Sequence, residues 1–352
     1  MPWSVRAVPL PDGDRPADLW IDATGCLAAG PVPGAEPLPG RYVAPGLVDA
    51  HAHPAVGPGL VPRDDDETMT ELAAWAAAGV ALVRDTGSPG GSVLGLGLGP
   101  GLPRLQAAGR FLAPAGRYFP ALLPEEVPQQ RLTELALAEL ARGGRWVKVI
   151  ADFPPVVDGK PSGPAALTYS VDAVEEMIAA VHAAGGRVAA HCTTDAVAQL
   201  VRAGVDSVEH GTSLDEDALR LMAEAGTAWT PTLCAVLAVP GNASEKTQRR
   251  AAEYRERLGE LLPLAHHLGV PVLAGTDAVG TIVREVALLA GHGLAPAAAL
   301  AAATTTGYRF LGEPFDQPGR PATLVTYQDD PREDLDVLSS PSAVLIDGVR
   351  VR

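Results

Sequence analysis

The chain has 352 residues, of which 47% are hydrophobic and 20% are charged, and this composition excludes a disordered chain and allows a large core. The 27 basic and 42 acidic residues give a net charge of −15, which disfavours nucleic acid and anionic membrane surfaces as partners. No apolar run is long enough to cross a membrane, no signal-peptide segment is recognisable, and three scattered cysteines exclude a disulfide framework. We therefore expect a cytoplasmic globular protein, and the composition is compatible with a homo-oligomer.

Short strand-like segments open and close the chain. Residues 4–8 and 19–21 are separated by turns rich in proline and glycine, and residues 322–327, 343–347 and 349–351 have the same character. The two ends together are predicted to form one small β unit.

The middle of the chain alternates between apolar runs and helical patterns. The eight runs are residues 43–53, 80–85, 105–112, 146–150, 188–191, 207–210, 228–232 and 272–277. The helical stretches include two apparent capping boxes, Thr68 with Glu71 and Ser213 with Glu216. This alternation predicts an α/β fold, a (β/α)8 TIM-type barrel, although a doubly wound parallel sheet remains open on alternation alone.

Residues of metal-ligand type stand at the ends of five of these runs. Catalytic side chains of such barrels come from the carboxyl ends of the strands, and those positions hold His51, His53, Lys148, His191, His210 and Asp277. Residues two apart in a strand face the same side, so His51 and His53 can present two imidazoles to one ion. The six residues predict a metal centre.

Lys148 is unusual because it lies in an apolar strand of a chain that contains only three lysines. A buried ammonium group is costly and tends to lose its proton. The neutral amine can add carbon dioxide, and the resulting carbamate can bind two divalent cations as a carboxylate would.

The sequence resembles the amidohydrolase superfamily, in particular its imidazolonepropionase- and dipeptidase-like branch. The resemblance is carried by VAPGLVDAHAH (43–53), VKV (147–149), VAAH (188–191), SVEHG (207–211) and AGTDA (274–278). The segments VRD (83–85) and YS (169–170) and the tail from residue 319 to 348 also resemble this branch.

The resemblance implies a barrel with a β-sandwich made from both chain ends, with boundaries at 1–45, 46–315 and 316–352. It implies two divalent metal ions, expected to be Zn²⁺, one held by His51, His53 and Asp277 and the other by His191 and His210. The carbamate on Lys148 and a hydroxide would bridge the two ions. The implied reaction is metal-dependent cleavage of an amide, cyclic amide or peptide bond in a small-molecule or short peptide substrate. The implied catalytic residues are Asp277, Lys148 and His210, with Asp277 moving the proton.

Three alternatives and two further residues stay open at this stage. A deaminase of the superfamily has a glutamate where this chain has Thr194, which disfavours deamination. Imidazolonepropionase-like hydrolysis with one metal is a closer rival, and an inactive metal-binding barrel is the third alternative. Arg84 and Tyr169 are candidate substrate contacts.

Overall fold

Eight parallel segments surround the centre of this computed structural model, which describes residues 1–239, 241 and 243–352. In chain order, seven of the barrel strands are Leu47–Ala52, Val80–Asp85, the interrupted pair Arg104–Ala107 and Phe111–Leu112, Trp146–Ile150, Arg187–Cys192, Ser207–His210 and Ala228–Thr230. Successive strands pair in parallel. The third strand does so in two pieces: Arg104–Ala107 pairs with Val80–Asp85, and Phe111–Leu112 pairs with Trp146–Ile150.

Residues 272–277 form the eighth segment and close the barrel. They make isolated bridges rather than a continuous strand, from Val272 to Trp229 and from Asp277 to Ala52. Backbone bonds from Leu273 N to Trp229 O, 2.9 Å, and from Ala50 N to Ala274 O, 2.8 Å, complete the join. The predicted TIM-type barrel is confirmed, and the doubly wound sheet is excluded because the first and last segments meet.

Ten α-helices follow or flank these strands in the described part of the chain. They are α1 (Asp65–Ala77), α2 (Leu132–Ala141), α3 (Val171–Ala183), α4 (Val197–Arg202), α5 (Glu216–Ala225), α6 (Leu233–Val236), α7 (Glu245–Leu268), α8 (Ile282–Gly291), α9 (Pro296–Ala302) and α10 (Thr305–Leu311). The loops contain three short antiparallel strand pairs. They are Val56–Gly57 with Val61–Pro62, Asp152–Phe153 with Ala166–Leu167, and Val156–Val157 with Lys160–Pro161.

Both predicted capping boxes are wrong by a few residues. Helix α1 is capped by Asp64, whose side chain accepts from Glu67 N at 2.8 Å while Glu67 accepts from Asp64 N at 3.1 Å. Helix α5 is capped by Asp215, and Ser213 instead donates to the carbonyl oxygen of Thr193. An aspartate caps a helix as well as serine or threonine does. Each sequence therefore allowed two positions for the helix start, and in both helices the aspartate is the N-cap.

The two chain ends share one eight-stranded sheet. Its strands are Trp3–Pro9, Ala17–Ile21, Leu27–Ala28, Glu36–Pro37, Tyr42–Pro45, Leu324–Tyr327, Ala343–Ile346 and Val349–Arg350. Tyr42–Pro45 is central, because it pairs in parallel with Trp3–Pro9 and antiparallel with Leu324–Tyr327. This sheet is the small β unit that the strand-like segments at both chain ends predicted, whereas the exact domain boundaries at residues 45 and 315 stay a prediction.

One large buried cluster joins the barrel to this sheet, since it contains Leu47 and Val147 of the barrel together with Val325 and Val344. Among the residues that the structure describes, no helix has both the length and the apolar character needed to cross a bilayer.

Candidate metal centre

The four predicted histidine ligands and Asp277 meet at the carboxyl ends of the barrel strands. Ring centroids are 5.2 Å apart for His51 and His53, 5.1 Å for His51 and His210, and 4.5 Å for His191 and His210. One ligand atom from each of His51, His53 and Asp277 lies within 4.8 Å of the others. The barrel therefore brings together residues separated by up to 226 positions in the sequence.

Hydrogen bonds to Nδ1 orient three of the four imidazoles. His53 Nδ1 donates to the carbonyl oxygen of Gly87 at 2.8 Å, and His51 Nδ1 donates to Glu209 Oε2 at 2.6 Å. His210 Nδ1 lies 2.7 Å from Thr232 Oγ1, whose own hydroxyl donates to Pro231 O. These bonds leave Nε2 of each ring free to bind a cation, which is typical of metal-binding histidines, and Nε2 of His53 lies 3.4 Å from Asp277 Oδ1.

His191 is held less directly. Its Nε2 lies 3.9 Å from Oδ1 of Asp152, and that fully buried carboxylate accepts hydrogen bonds from Thr193 and Thr194. The hydroxyl of Thr194 donates to Asp152 Oδ2 at 2.7 Å, so it supports the loop after the fifth barrel strand.

Two of these side chains are presented by strained backbone. His210 has a φ of +70° and Asp277 a φ of +61°, in the left-handed region that side-chain-bearing residues rarely adopt. Such strain persists only where the surrounding structure fixes it, and it concentrates at functional sites.

Lys148 is buried inside the barrel, and its Nζ has no hydrogen-bond partner among the described residues. Burial lowers the pKa of Lys148 to about 8, because water no longer stabilises the ammonium form. An unpartnered amine beside histidines fits the predicted addition of carbon dioxide, since the carbamate would be an anion among potential cation ligands.

The protonation states of the other ligands also fit a divalent cation. Burial lowers the pKa of His51 to about 3 and holds the pKa of His210 well below its usual value. Burial opposes ionisation of Asp277, but the close approach of His53, whose Nε2 lies 3.4 Å from Asp277 Oδ1, and the other neighbouring histidines hold the pKa of Asp277 well below its usual range. Neutral imidazoles and an ionised carboxylate are the forms that bind metal, and this nitrogen and oxygen set suits Zn²⁺.

Arg84 and Glu209 lie directly beneath His51 and are fully buried. Arg84 Nη2 donates to Glu209 Oε1 at 2.9 Å, and Nη1 donates to Ser207 Oγ at 2.6 Å. Although burial opposes ionisation of Glu209, Arg84 and His51 hold its pKa well below the usual value. Glu209 was not identified from the sequence as a site residue; the only signal was a glutamate inside an apolar run.

Tyr169, the other candidate substrate contact, is also buried. Its hydroxyl donates to the carbonyl oxygen of Val127 at 2.8 Å, which ties the start of α3 to the segment before α2.

Aromatic side chains and a small cavity border the centre. Phe111 lies 5.3 Å from the His53 ring and Phe153 lies 5.6 Å from the His191 ring, measured between centroids. A cavity of about 290 Å³ opens beside His53 and Asp277. Its other lining residues are Val56, Pro58, Arg63, Glu71, Trp75, Thr276, Ala278, Val279 and Gly280.

Comparison with known proteins finds a family and two relatives that match nearly the whole chain. The model of the amidohydrolase family matches residues 42–351. An uncharacterized protein of Mycobacterium tuberculosis is 36% identical over 357 aligned residues, which cover 98% of this chain and 94% of that protein. A protein of Mycobacterium bovis, also uncharacterized, matches to the same extent.

Solved structures share the whole fold at low identity. A crystal structure of Aspergillus niger ochratoxinase has a TM-score of 0.82 at 18% identity and covers 99% of this chain and 95% of its own. A Xaa-Pro dipeptidase with bound methionine in its active site has a TM-score of 0.81 at 21% identity, with 99% of both chains covered. Similarity at these identities establishes the fold alone.

Proposed function

Because the chain belongs to the amidohydrolase family, we propose that it is a metal-dependent hydrolase that cleaves an amide, cyclic amide or peptide bond with two divalent cations. The observation that carries the proposal is the group formed by His51, His53 and Asp277 at one end of the barrel. Its ligand atoms lie within 4.8 Å of one another, and the lowered pKa values of His51 and Asp277 favour the neutral imidazole and the ionised carboxylate that cation binding requires.

The donor sets divide between the two cations as the family resemblance implies. His51, His53 and Asp277 would hold one cation, and His191 and His210 would hold the other. Lys148 would carry a carbamate that supplies oxygen ligands to both. Its neutral amine forms a bond to the carbon of carbon dioxide and releases one proton, so the buried lysine becomes an anion.

The bound cations would supply Lewis-acid polarisation of the substrate carbonyl and would lower the pKa of water. Asp277 then performs the proton transfer. Its side chain is 23% exposed and borders the cavity, and its low pKa keeps it ionised at neutral pH. A carboxylate oxygen of Asp277 accepts the proton of the attacking water and donates it to the leaving amine nitrogen.

Arg84 and Tyr169 take no part in substrate binding in this proposal. Arg84 is fully buried and engaged by Glu209, and the Tyr169 hydroxyl donates to a backbone carbonyl. The cavity beside Asp277 lies at the small end of the range for ligand pockets, so the substrate is a small molecule such as a dipeptide or an N-acyl amino acid. One solved structure of this fold is a dipeptidase, which makes dipeptides the first substrates to assay.

The experiment is a hydrolysis assay over dipeptides, N-acyl amino acids and cyclic amides, with the purified protein, after chelation, and after Zn²⁺ is added back. We expect cleavage of at least one compound, its loss on chelation and its return with the metal. Asp277→Asn is expected to lower kcat by about 10²–10⁴-fold, the usual contribution of a general acid–base group. Undiminished cleavage after the metal has been removed would contradict the proposal.

A hydrolase of cyclic amides that uses one cation is the second candidate. It is favoured by the compactness of the His51, His53 and Asp277 group, which by itself offers three ligands. Deamination is less well supported, because the Thr194 hydroxyl donates to Asp152.

A further inference from the structure

A buried ion pair touches His51 from the side opposite the candidate cation. The two oxygens of Glu209 accept from three side chains. Oε2 accepts from His51 Nδ1 at 2.6 Å and from Arg84 Nη2 at 3.1 Å, and Oε1 accepts from Arg84 Nη2 at 2.9 Å and from the hydroxyl of Ser207. The side chains of His51, Arg84 and Glu209 are at most 1% exposed, so water does not compete for these bonds.

We propose that Arg84 and Glu209 form a positioning unit that selects the tautomer of His51 able to bind a cation. A neutral imidazole carries one proton, on Nδ1 or on Nε2. Glu209 accepts the proton-bearing Nδ1, which leaves the lone pair of Nε2 directed at the centre. This inference rests on the proposed function, because the cation concerned is the one that His51 would bind there.

Arg84 makes this selection rigid. Its guanidinium also donates to Ala50 O, to Ser207 Oγ and to Thr230 Oγ1. The guanidinium carbon lies 4.5 Å from the ring centroid of Trp146. A guanidinium only donates, and Arg84 and the Ser207 hydroxyl both donate to Oε1 of Glu209. Oε1 must therefore stay an acceptor, while Oε2 accepts from His51.

His51 differs in this respect from the other two anchored histidines. The Nδ1 atoms of His53 and His210 meet a backbone carbonyl and a threonine hydroxyl, which are neutral acceptors. Among these three described rings, only His51 is anchored by an ion-paired carboxylate. The tautomer of His51 therefore depends on two side chains that do not reach the substrate cavity.

Glu209→Gln provides the direct test, because glutamine has a single acceptor oxygen. With Arg84 present, that oxygen faces the guanidinium and the amide NH2 faces His51 Nδ1. His51 then carries its proton on Nε2, where the cation would bind. Long-range ¹H–¹⁵N spectra of the metal-free protein, with the His51 signals identified by their loss in His51→Asn, should show this change of tautomer. Zn²⁺ affinity, measured by competition with a chromophoric chelator, should fall by about 10–100-fold.

The double variant Arg84→Met with Glu209→Gln distinguishes tautomer selection from a general disruption of the site's structure. Without the guanidinium, the glutamine oxygen is free to accept from His51 Nδ1. The double variant should recover the Nδ1-protonated tautomer and part of the Zn²⁺ affinity that Glu209→Gln loses. A purely structural role predicts that the second substitution makes the loss greater.

Glu139→Gln is the matched control. Glu139 is another fully buried glutamate paired with arginines, accepting from Arg110 Nε at 2.5 Å and Arg142 Nη1 at 2.8 Å. It lies on α2 and does not contact a histidine. We expect it to leave the His51 spectrum and the Zn²⁺ affinity unchanged.

The inference is overturned if His51 keeps its tautomer and the protein keeps its Zn²⁺ affinity in Glu209→Gln, or if Glu139→Gln lowers the affinity equally. A wild-type protein that binds no Zn²⁺ contradicts the proposed function instead. In that case the metal-free spectra still decide whether Glu209 selects the tautomer of His51.

Discussion

Lys148 is the residue on which the two-cation proposal depends most. Its Nζ is buried without a hydrogen-bond partner among the described residues, and leaving a buried polar group unpaired costs about 1–3 kcal/mol. A carbamate with bound cations would remove this penalty and would give the position a function that arginine or methionine could not provide.

Lys148→Ala is expected to lower Zn²⁺ affinity and hydrolysis by roughly 100-fold or more, beyond the usual effect of residues that only support a ligand. A small carboxylate such as propionate should restore part of the activity by occupying the position of the carbamate. Lys160→Ala, at an exposed lysine of a hairpin, is the control and should behave as wild type. Full activity of Lys148→Ala without propionate would contradict the carbamate.

Single residues were predictable from the sequence where their chemistry was unusual for their surroundings. Histidines and an aspartate at the ends of apolar runs predicted a site before any contact was known. Glu209 could not be predicted in the same way, because its partners His51 and Arg84 lie 158 and 125 positions away in the sequence. Arg84 was predicted as a candidate substrate contact. Its full burial could not be predicted, because it depends on the closure of the barrel.

At the scale of elements, the eighth barrel segment matters most, since it places Asp277 beside His53. It passes so close to the first strand that a Cβ on Gly275 would lie 2.6 Å from His51 Cβ and 2.7 Å from Thr230 Cγ2. Real Cβ contacts are never this short, so only glycine allows the two segments to meet here.

Gly275→Ala is therefore expected to displace His51 and to lower Zn²⁺ affinity by at least about 10-fold, an effect comparable to losing a residue that orients a ligand. The matched variant is Gly259→Ala in α7, where a Cβ meets no atom within 4 Å. That substitution should leave Zn²⁺ affinity unchanged and stabilise the helix by about 0.5–1 kcal/mol. Equal affinities of both variants in a chelator competition would contradict the expected displacement.

Helix α8 carries another buried carboxyl group, that of Glu285. Glu285 accepts from Leu233 N and Cys234 N, both at 2.7 Å, at the start of α6. Burial nevertheless raises the pKa of Glu285 from 4.5 to about 8. Since the folded protein keeps this proton to a higher pH than the unfolded chain does, the stability that the group contributes is lost as the pH rises from about 5 to about 8.

Glu285→Gln should remove this dependence. The free energy of unfolding of Glu285→Gln, compared with that of wild type, should increase across that interval, by at most about 1.4 kcal/mol per pH unit. Urea unfolding at several pH values measures the difference, with Glu224→Gln at an exposed position of α5 as the control. A constant difference between Glu285→Gln and wild type would show that Glu285 does not stay protonated in the folded protein.

For the whole molecule, the barrel and the shared terminal sheet followed from the sequence because both depend on repeated patterns. Eight runs predicted eight barrel segments, and strand-like segments at both ends predicted one β unit. The local details did not follow. Asp64 and Asp215 replaced the expected caps, and the run at 105–112 is interrupted where Ser88 N bonds to Gly109 O at 2.8 Å. These outcomes depend on neighbours that only the assembled barrel provides.

The amount of metal bound by each chain tests the central claim most directly. Elemental analysis of protein purified without chelator and with bicarbonate present should give close to two divalent cations per chain. A ratio near one would contradict the two-cation centre and the carbamate on Lys148, and would favour the hydrolase of cyclic amides that uses a single cation. A ratio near zero that excess Zn²⁺ does not raise would contradict metal-dependent hydrolysis altogether.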